Sequence, residues 1–309
     1  MADHVQGAGR GAVVISQVPA HRHDRTLAAS IREVAHVSSL LVTSKIEVAD
    51  REVAPGIHRF GDDHVNWYVL EDKGALTVID GGMPAHWSQL LDWLARRAFS
   101  LDAVKAVVLT HGHADHLGIV ERLRRETDAL VHVHEADRPL SRGIGLRRPP
   151  RRIVRNLWRP HNLALFVAWA RDGVLRVPPV LHASAFGDGQ VLDVPGGLRV
   201  VHTPGHSAGS STLIARDGAV ALTGDALVTL DVVTGRRGVG IMPGKLNDDP
   251  AQALASLDNL KGVGARIVLP GHGRPWADGL PDALNRARRA GIDWRDVSAH
   301  HHGHDHATP

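Results

Sequence analysis

Short runs rich in β-branched and aromatic residues, Gly56 to Phe60, Val65 to Leu70 and Ala75 to Ile79, alternate with the turn signals Asp62-Asp63 and Asp72-Lys73-Gly74. They predict a β-meander that opens a domain. After Asp80-Gly81-Gly82, apolar positions Leu90, Leu91, Leu94 and Ala98 fit one helix face, and Ala106 to Leu109 read as a strand that runs directly into a second helical pattern, Leu117, Val120 and Leu123. Leu130 to His134 alternates as a strand and Glu135 to Asp137 opens a short helix. Strand signals resume at Gln190 to Asp193 and Leu198 to His202. Thr212 to Ala215 and Ala219 to Leu222 predict a hairpin around Asp217-Gly218. A helix patterned by Ala251, Leu254, Leu257 and Leu260 then precedes a strand from Arg266 to Leu269.

Two stretches break this alternation. Residues 1–45 have Gly-rich and charged patches with one weakly helical stretch, Thr26 to Leu41, and are expected to be an N-terminal appendage, partly disordered. Residues 139–185 gather Arg142, Arg147, Arg148, Arg151, Arg152, Arg155 and Arg159 around Pro149-Pro150, ahead of the apolar helical run Leu163 to Ala170. This insertion in a domain of residues 46–298 reads in two ways. It is either a lid whose arginines favour an anionic small-molecule substrate beside an apolar wall of Trp158, Phe166 and Trp169, or a solvated basic face beside an ordinary packing helix.

Composition narrows the classes. A chain of 309 residues with 43% hydrophobic and 22% charged positions is ordinary for a globular protein. Its formal charge of +3 gives no reason to expect a nucleic-acid partner. The longest apolar stretch, Leu163 to Ala170, is far shorter than the roughly 20 residues of a membrane helix, and Gly11 to Ile15 is too short for a signal-peptide core. A cytoplasmic protein without a membrane partner is expected. With no cysteine there is no thiolate ligand, so any metal must be held by imidazole and carboxylate.

Such a set is present. Thr110-His111-Gly112-His113-Ala114-Asp115-His116 places three histidines and an aspartate at a strand-to-helix turn. His111 and His113 can point at one metal, while Asp115 and His116, displaced by the turn, are better placed for a second beside it. Imidazole with carboxylate suits zinc, iron or manganese. Three later strand ends each deliver one more potential ligand: His206 in Thr203-Pro204-Gly205-His206-Ser207, Asp225 in Thr223-Gly224-Asp225, and His272 in Pro270-Gly271-His272-Gly273. His132 and His134 share a strand face and read first as structural histidines. His300 to His306, within a His-rich tail of residues 299–309, has metal-binding composition without core residues and is expected to be a flexible segment.

The strand-end H-x-H-x-D-H, the histidine in T-P-G-H-S-x-G, the aspartate in T-G-D and the histidine in P-G-H-G resemble the metallo-β-lactamase superfamily, and within it the glyoxalase II-like hydrolases. The resemblance covers about residues 50 to 280 and implies an α/β fold, an αββα sandwich with metals at one edge. It implies two divalent ions, zinc first with iron or manganese as alternatives. His111, His113 and His206 would hold one ion, Asp115, His116 and His272 the other, with Asp225 bridging. Asp115 would also act catalytically, and Asp80 would stand behind the ligands.

The absent cysteine and the presence of Asp225 argue against antibiotic hydrolysis, the single Tyr68 against the tyrosine-dependent lactonases, and the 37 residues after His272 against a glutathione-binding helical domain. A dinuclear hydrolase of a small thioester, ester or lactone is the expectation. A mononuclear iron enzyme resembling persulfide dioxygenases, or a phosphodiesterase or nuclease, are the alternatives.

Overall fold

The computed structural model describes residues 51–144 and 160–294. The N-terminal appendage, six of the seven clustered arginines, Trp158 and the His-rich tail lie outside the described residues. Two sheets carry the fold. The first has seven strands in the order β1 (Arg51–Ala54), β2 (Ile57–Gly61), β3 (Asn66–Asp72), β4 (Ala75–Ile79), β5 (Val104–Val108), β6 (Leu130–His134) and β7 (Ser184–Phe186). The second runs β14 (Ile267–Pro270), β11 (Val220–Gly224), β10 (Ser211–Ala215), β9 (Leu198–His202), β8 (Val191–Leu192). A ribbon of β12 (Val228–Leu230) and β13 (Arg237–Gly240) stands apart.

Three apolar layers follow from strand periodicity, which sends alternate side chains to opposite faces. Ile57, Tyr68, Leu70, Ile79, Ala106 and Val108 meet Leu198, Val200, Leu213, Leu222 and Leu269 between the sheets. The outer face of the first sheet buries Trp67, Val69, Val78 and Val107 under helices α1 (Trp87–Arg96) and α2 (Val120–Glu126), through Leu90, Trp93, Leu94 and Leu123. The outer face of the second buries Val201, Ile214, Ala221 and Val268 under α5 (Pro250–Ser256) and α6 (Leu280–Ala290). Between these helix pairs in sequence come α3 (Arg138–Ser141) and α4 (Pro160–Arg171). This is the αββα sandwich. Trp67 and Trp93 are fully buried against Phe60, the first stacked on its ring and the second edge-on to it, with ring centroids 4.3 and 5.6 Å away; large apolar side chains each stabilise the fold by about 1.5–3 kcal/mol.

Several expectations shift in detail. Gly56 is the turn between β1 and β2, at φ 67, and does not begin a strand. The buried stripe of α1 is Trp87, Leu90, Trp93 and Leu94, leaving Leu91 41% exposed, and Ala98 lies beyond the helix at φ 56. The inserted segment ends in β7, which pairs parallel with β6 and so belongs to the first sheet. Leu165 of α4 packs on Leu230 and Val232, with Trp169 partly buried beside them. Among the described residues no helix is long and apolar enough to cross a membrane.

Topology makes the site. β4 and β5 are parallel, β9 and β11 are each antiparallel to β10, and β14 is parallel to β11. The carboxyl ends of these strands release Asp80, Thr110 to His116, His206, Asp225 and His272, the end of open α/β sheets where ligands bind.

Candidate metal centre

Asp80 is the first fixed point. It follows β4 at φ 60, a left-handed conformation that aspartate tolerates better than most residues, and is buried. Its Oδ1 accepts from the Thr110 backbone N–H at 2.8 Å, and its Oδ2 accepts from Thr110 Oγ1 at 2.8 Å and from His116 Nδ1 at 2.9 Å. Thr110 Oγ1 in turn lies 3.1 Å from His111 Nδ1 and can accept its proton. One carboxylate thereby directs the Nε2 lone pairs of both His111 and His116 away from itself. His272 is set the same way, its Nδ1 donating to the His64 carbonyl.

The free edges converge on Asp225. Its Oδ2 is 3.1 Å from His272 Nε2, 3.2 Å from His206 Nε2 and 3.8 Å from His111 Nε2, and its Oδ1 is 3.5 Å from His116 Nε2. His113 Nδ1 is 2.8 Å from His206 Nε2. Asp115 Oδ2 is 3.5 Å from His272 Nε2 and 3.8 Å from His116 Nε2. Ligand atoms of His111, His113 and His206 lie within 4.8 Å of one another, as do those of Asp115, His116 and His272, and those of His111, His116 and Asp225. All seven sequence-predicted residues are brought to one place. Gly271 leaves the room for it: a Cβ there would come 2.3 Å from Asp225 Oδ1 and 2.8 Å from His116 Cε1.

His111 Nε2, His116 Nε2, His206 Nδ1 and Asp225 Oδ1 are buried without a hydrogen-bond partner. Orphaned polar atoms cost roughly 1–3 kcal/mol each, and three of them, His111 Nε2, His116 Nε2 and Asp225 Oδ1, belong to one group whose ligand atoms lie within 4.8 Å of one another, a donor set that a divalent cation would satisfy.

Electrostatics divides the histidines. Burial holds His111 well below its usual range, with the charge on nearby His116 adding to the effect, and holds His206 down to about 3. Burial also opposes charge on His116, but Asp225, Asp115 and Asp80 overcome it and push it up to about 10; His272 is raised likewise, by Asp225 and Asp115. Asp225, despite its burial, is held well below the carboxylate range by His272, His116, His206 and His111.

His132 and His134 are not among the metal-competent groups of the described residues. His134 is buried and stacks on His202, with ring centroids 4.1 Å apart and planes 7° from parallel. His202 Nε2 donates to the Ala208 carbonyl at 2.9 Å, bracing the loop of His206. Sequence reasoning missed the supports of the His272 loop. Asn66 Nδ2 donates to the Pro270 and Gly273 carbonyls at 2.9 and 2.7 Å, Tyr68 Oη donates to the Pro270 carbonyl at 2.7 Å, and buried Arg59 orders Asn66 through Oδ1 at 2.8 Å. Polar Arg59 and Asn66 inside strand-like apolar runs were the available signal.

Known proteins resemble this chain in sequence and fold. The chain is 27% identical over 243 residues to the probable metallo-hydrolase YflN of Bacillus subtilis, covering 76% of this chain and 90% of that one. It is 28% identical over 210 residues to the atrochrysone carboxyl ACP thioesterase of Aspergillus fumigatus, covering 67% of this chain and half of that protein. The crystal structure of TTHA1623 in a di-iron-bound form superimposes with a TM-score of 0.51 at 27% identity, covering 74% of this chain and 96% of that one. The family model of the metallo-beta-lactamase superfamily matches residues 60–272, well over half of the sequence. By its fold, its His/Asp cluster and that match, the chain belongs to the metallo-β-lactamase superfamily of divalent-metal enzymes and is a metal-dependent hydrolase.

Proposed function

We propose that the chain is a dinuclear hydrolase of a small thioester, ester or lactone, of the glyoxalase II-like kind. The observation that carries this reading is the buried Asp225 carboxylate lying between two histidine groups, with orphaned donor atoms on both sides. His111, His113 and His206 would hold one divalent ion, Asp115, His116 and His272 the other, and Asp225 both; zinc suits the set, and iron or manganese are the alternatives. Two such ions, when bound, would supply the acidification of a water and the polarisation of an acyl oxygen.

The residues do the rest. Asp225 neutralises charge between the two groups, and Asp80 and the His64 carbonyl hold Nδ1 protons on His116 and His272 so that Nε2 stays available. Asp115, whose side chain is 17% exposed, is the carboxylate of the set that reaches solvent. The Asp115 carboxylate is suited to take the proton of the attacking water as the C–O bond forms, and to return it to the departing thiolate or alkoxide as the scissile bond breaks, leaving a carboxylic acid and a thiol or alcohol. The thioesterase relative supports a thioester, and the di-iron structure supports a two-metal site. The arginines of the inserted segment favour an anionic small substrate, and we place the reaction in the cytoplasm.

Elemental analysis of protein purified without added metal, followed by turnover of thioesters, esters, lactones and phosphodiesters, tests the reading. Two divalent ions per chain and chelator-sensitive acyl hydrolysis are expected. A single iron with oxygen-consuming persulfide turnover, or phosphodiester cleavage alone, would overturn it.

A further inference from the structure

Asp137 is not one of the candidate ligands, yet it is 1% exposed and its carboxylate accepts three hydrogen bonds from two different ligand loops. Oδ2 accepts from the Gly112 N–H at 2.9 Å and from Ser207 Oγ at 2.6 Å; Oδ1 accepts from the Gly209 N–H at 2.6 Å. Gly112 stands between His111 and His113, and Ser207 directly follows His206. The first loop leaves β5 of one sheet and the second leaves β9 of the other, so the carboxylate ties the two sheets together at the point where three histidines must agree.

Sterics reinforce the joint. A Cβ at Gly209 would meet Asp137 Cβ, Cγ and N at 2.7 Å, and a Cβ at Gly112 would meet Ser141 N at 2.9 Å, so both loops lie flat on the turn that runs from Asp137 into α3. All three donors to the carboxylate are neutral. Hydrogen bonds accepted by a carboxylate are shorter and stronger than those between neutral groups. The other ligand group is held differently, by Asp80 on His116 and by the His64 carbonyl on His272.

We propose that Asp137 is the positioning residue of the three-histidine group: it fixes the His111–His113 loop against the His206 loop and thereby sets how tightly that group, and not its neighbour, holds a divalent ion. This rests on the dinuclear reading. Metal–nitrogen distances tolerate only about 0.2 Å, and His113 and His206 approach to 2.8 Å across the joint, so slack between the loops is felt there first. Removing an outer partner of a metal ligand typically weakens binding 10–100-fold.

The experiment is Co2+ titration of chelator-stripped full-length protein, read by visible absorption and competition with a chelator. Asp137→Asn keeps the volume but turns an amine toward groups that are themselves donors. In a His272→Ala background, where the three-histidine group remains intact, adding Asp137→Asn should weaken Co2+ binding by about 10–100-fold. In a His113→Ala background, the same substitution should change the remaining ion's affinity by less than about threefold. Ser207→Ala, which removes one donor of three, should shift only the first background, by less than about tenfold. Equal weakening in both backgrounds, or none in either, overturns the proposal, because a residue that serves only folding would not discriminate between the two ions. A wild-type chain that binds fewer than two Co2+ ions overturns the dinuclear reading itself.

Discussion

Metal uptake by this protein should release protons from one ligand group and not from the other. In the chelator-stripped chain His116 is surrounded by Asp80 Oδ2 at 2.9 Å, Asp225 Oδ1 at 3.5 Å and Asp115 Oδ2 at 3.8 Å, which overcome burial and raise it to about 10; His272 is raised as well. His111 and His206 are depressed by burial and offer lone pairs at neutral pH. An ion entering beside His116 must displace at least that proton. Its affinity should therefore fall at least tenfold, about 1.4 kcal/mol, for each pH unit below 10, so at least 100-fold between pH 9 and pH 7. Calorimetric titration of Zn2+ in two buffers of different ionisation enthalpy counts the protons: one ion should release at least one from the Asp115, His116 and His272 group. The sign of the stability effect follows. Stabilisation of the stripped fold by His116 is complete below its unfolded value of about 6.5 and is lost as pH rises through about 10. That from neutral His111 and His206 is complete above about 6.5 and is lost as pH falls below it. Two ions whose affinities do not change between pH 7 and 9 would refute this electrostatic account.

Much of the fold was legible because its strands are short, separated by glycine and aspartate turns, and uniformly apolar where both faces are covered. The parallel core strands β5, β6 and β14 were found within two residues. What was missed has local physical causes. β1 is four residues, Arg51–Ala54, whose alternation is broken by the register shift between Glu52 and Ala54. β12 and β13 are three and four residues long, too short for a period to show. Helix α6 carries its stripe on Leu280, Ala283, Leu284, Ala287 and Ala290, where alanine gives little contrast against neighbouring arginines. On α1, counting leucines misplaced the face, because the tryptophans at 87 and 93 and not Leu91 are the large groups that pack.

The metal set was more legible than its surroundings for a chemical reason. Imidazoles and carboxylates just past apolar strands stand out against the composition, and each candidate ligand lies within four residues of a strand's carboxyl end or in the one continuous turn from Thr110 to His116. The supports do not stand out. Asp137 reaches Gly112 and Ser207 across 25 and 70 residues, and Asn66 reaches Pro270 across 204. Such pairs depend on how two sheets face each other, which no local period records. His134 illustrates the limit: alternation put it on a strand face, but its stacking on His202 is a contact between sheets.

Three further substitutions probe the same construction. Asp225→Ala should lose both ions and acyl-hydrolase activity together, since it removes the carboxylate between the two groups; two ions retained with near-normal turnover would sink the bridging role. Gly118→Ala should destabilise the fold by about 1–3 kcal/mol, read as a lowered melting temperature, because its Cβ would lie 2.2 Å from Met83 C and 2.4 Å from the Gly82 carbonyl oxygen, both backbone atoms; an unchanged melting temperature would mean the two loops part freely. Asp80→Asn keeps an oxygen for the Thr110 N–H but turns an amine toward His116 Nδ1, favouring the tautomer whose Nε2 carries the proton and cannot bind metal. Zn2+ affinity at the Asp115, His116 and His272 group should fall about 10–100-fold, and His116, deprived of one of three carboxylate charges, should be less basic, so proton release at pH 9 should fall too. Wild-type affinity and wild-type proton release in this variant would show that His116 finds its tautomer without Asp80, and the conformation at φ 60 would then need another reason.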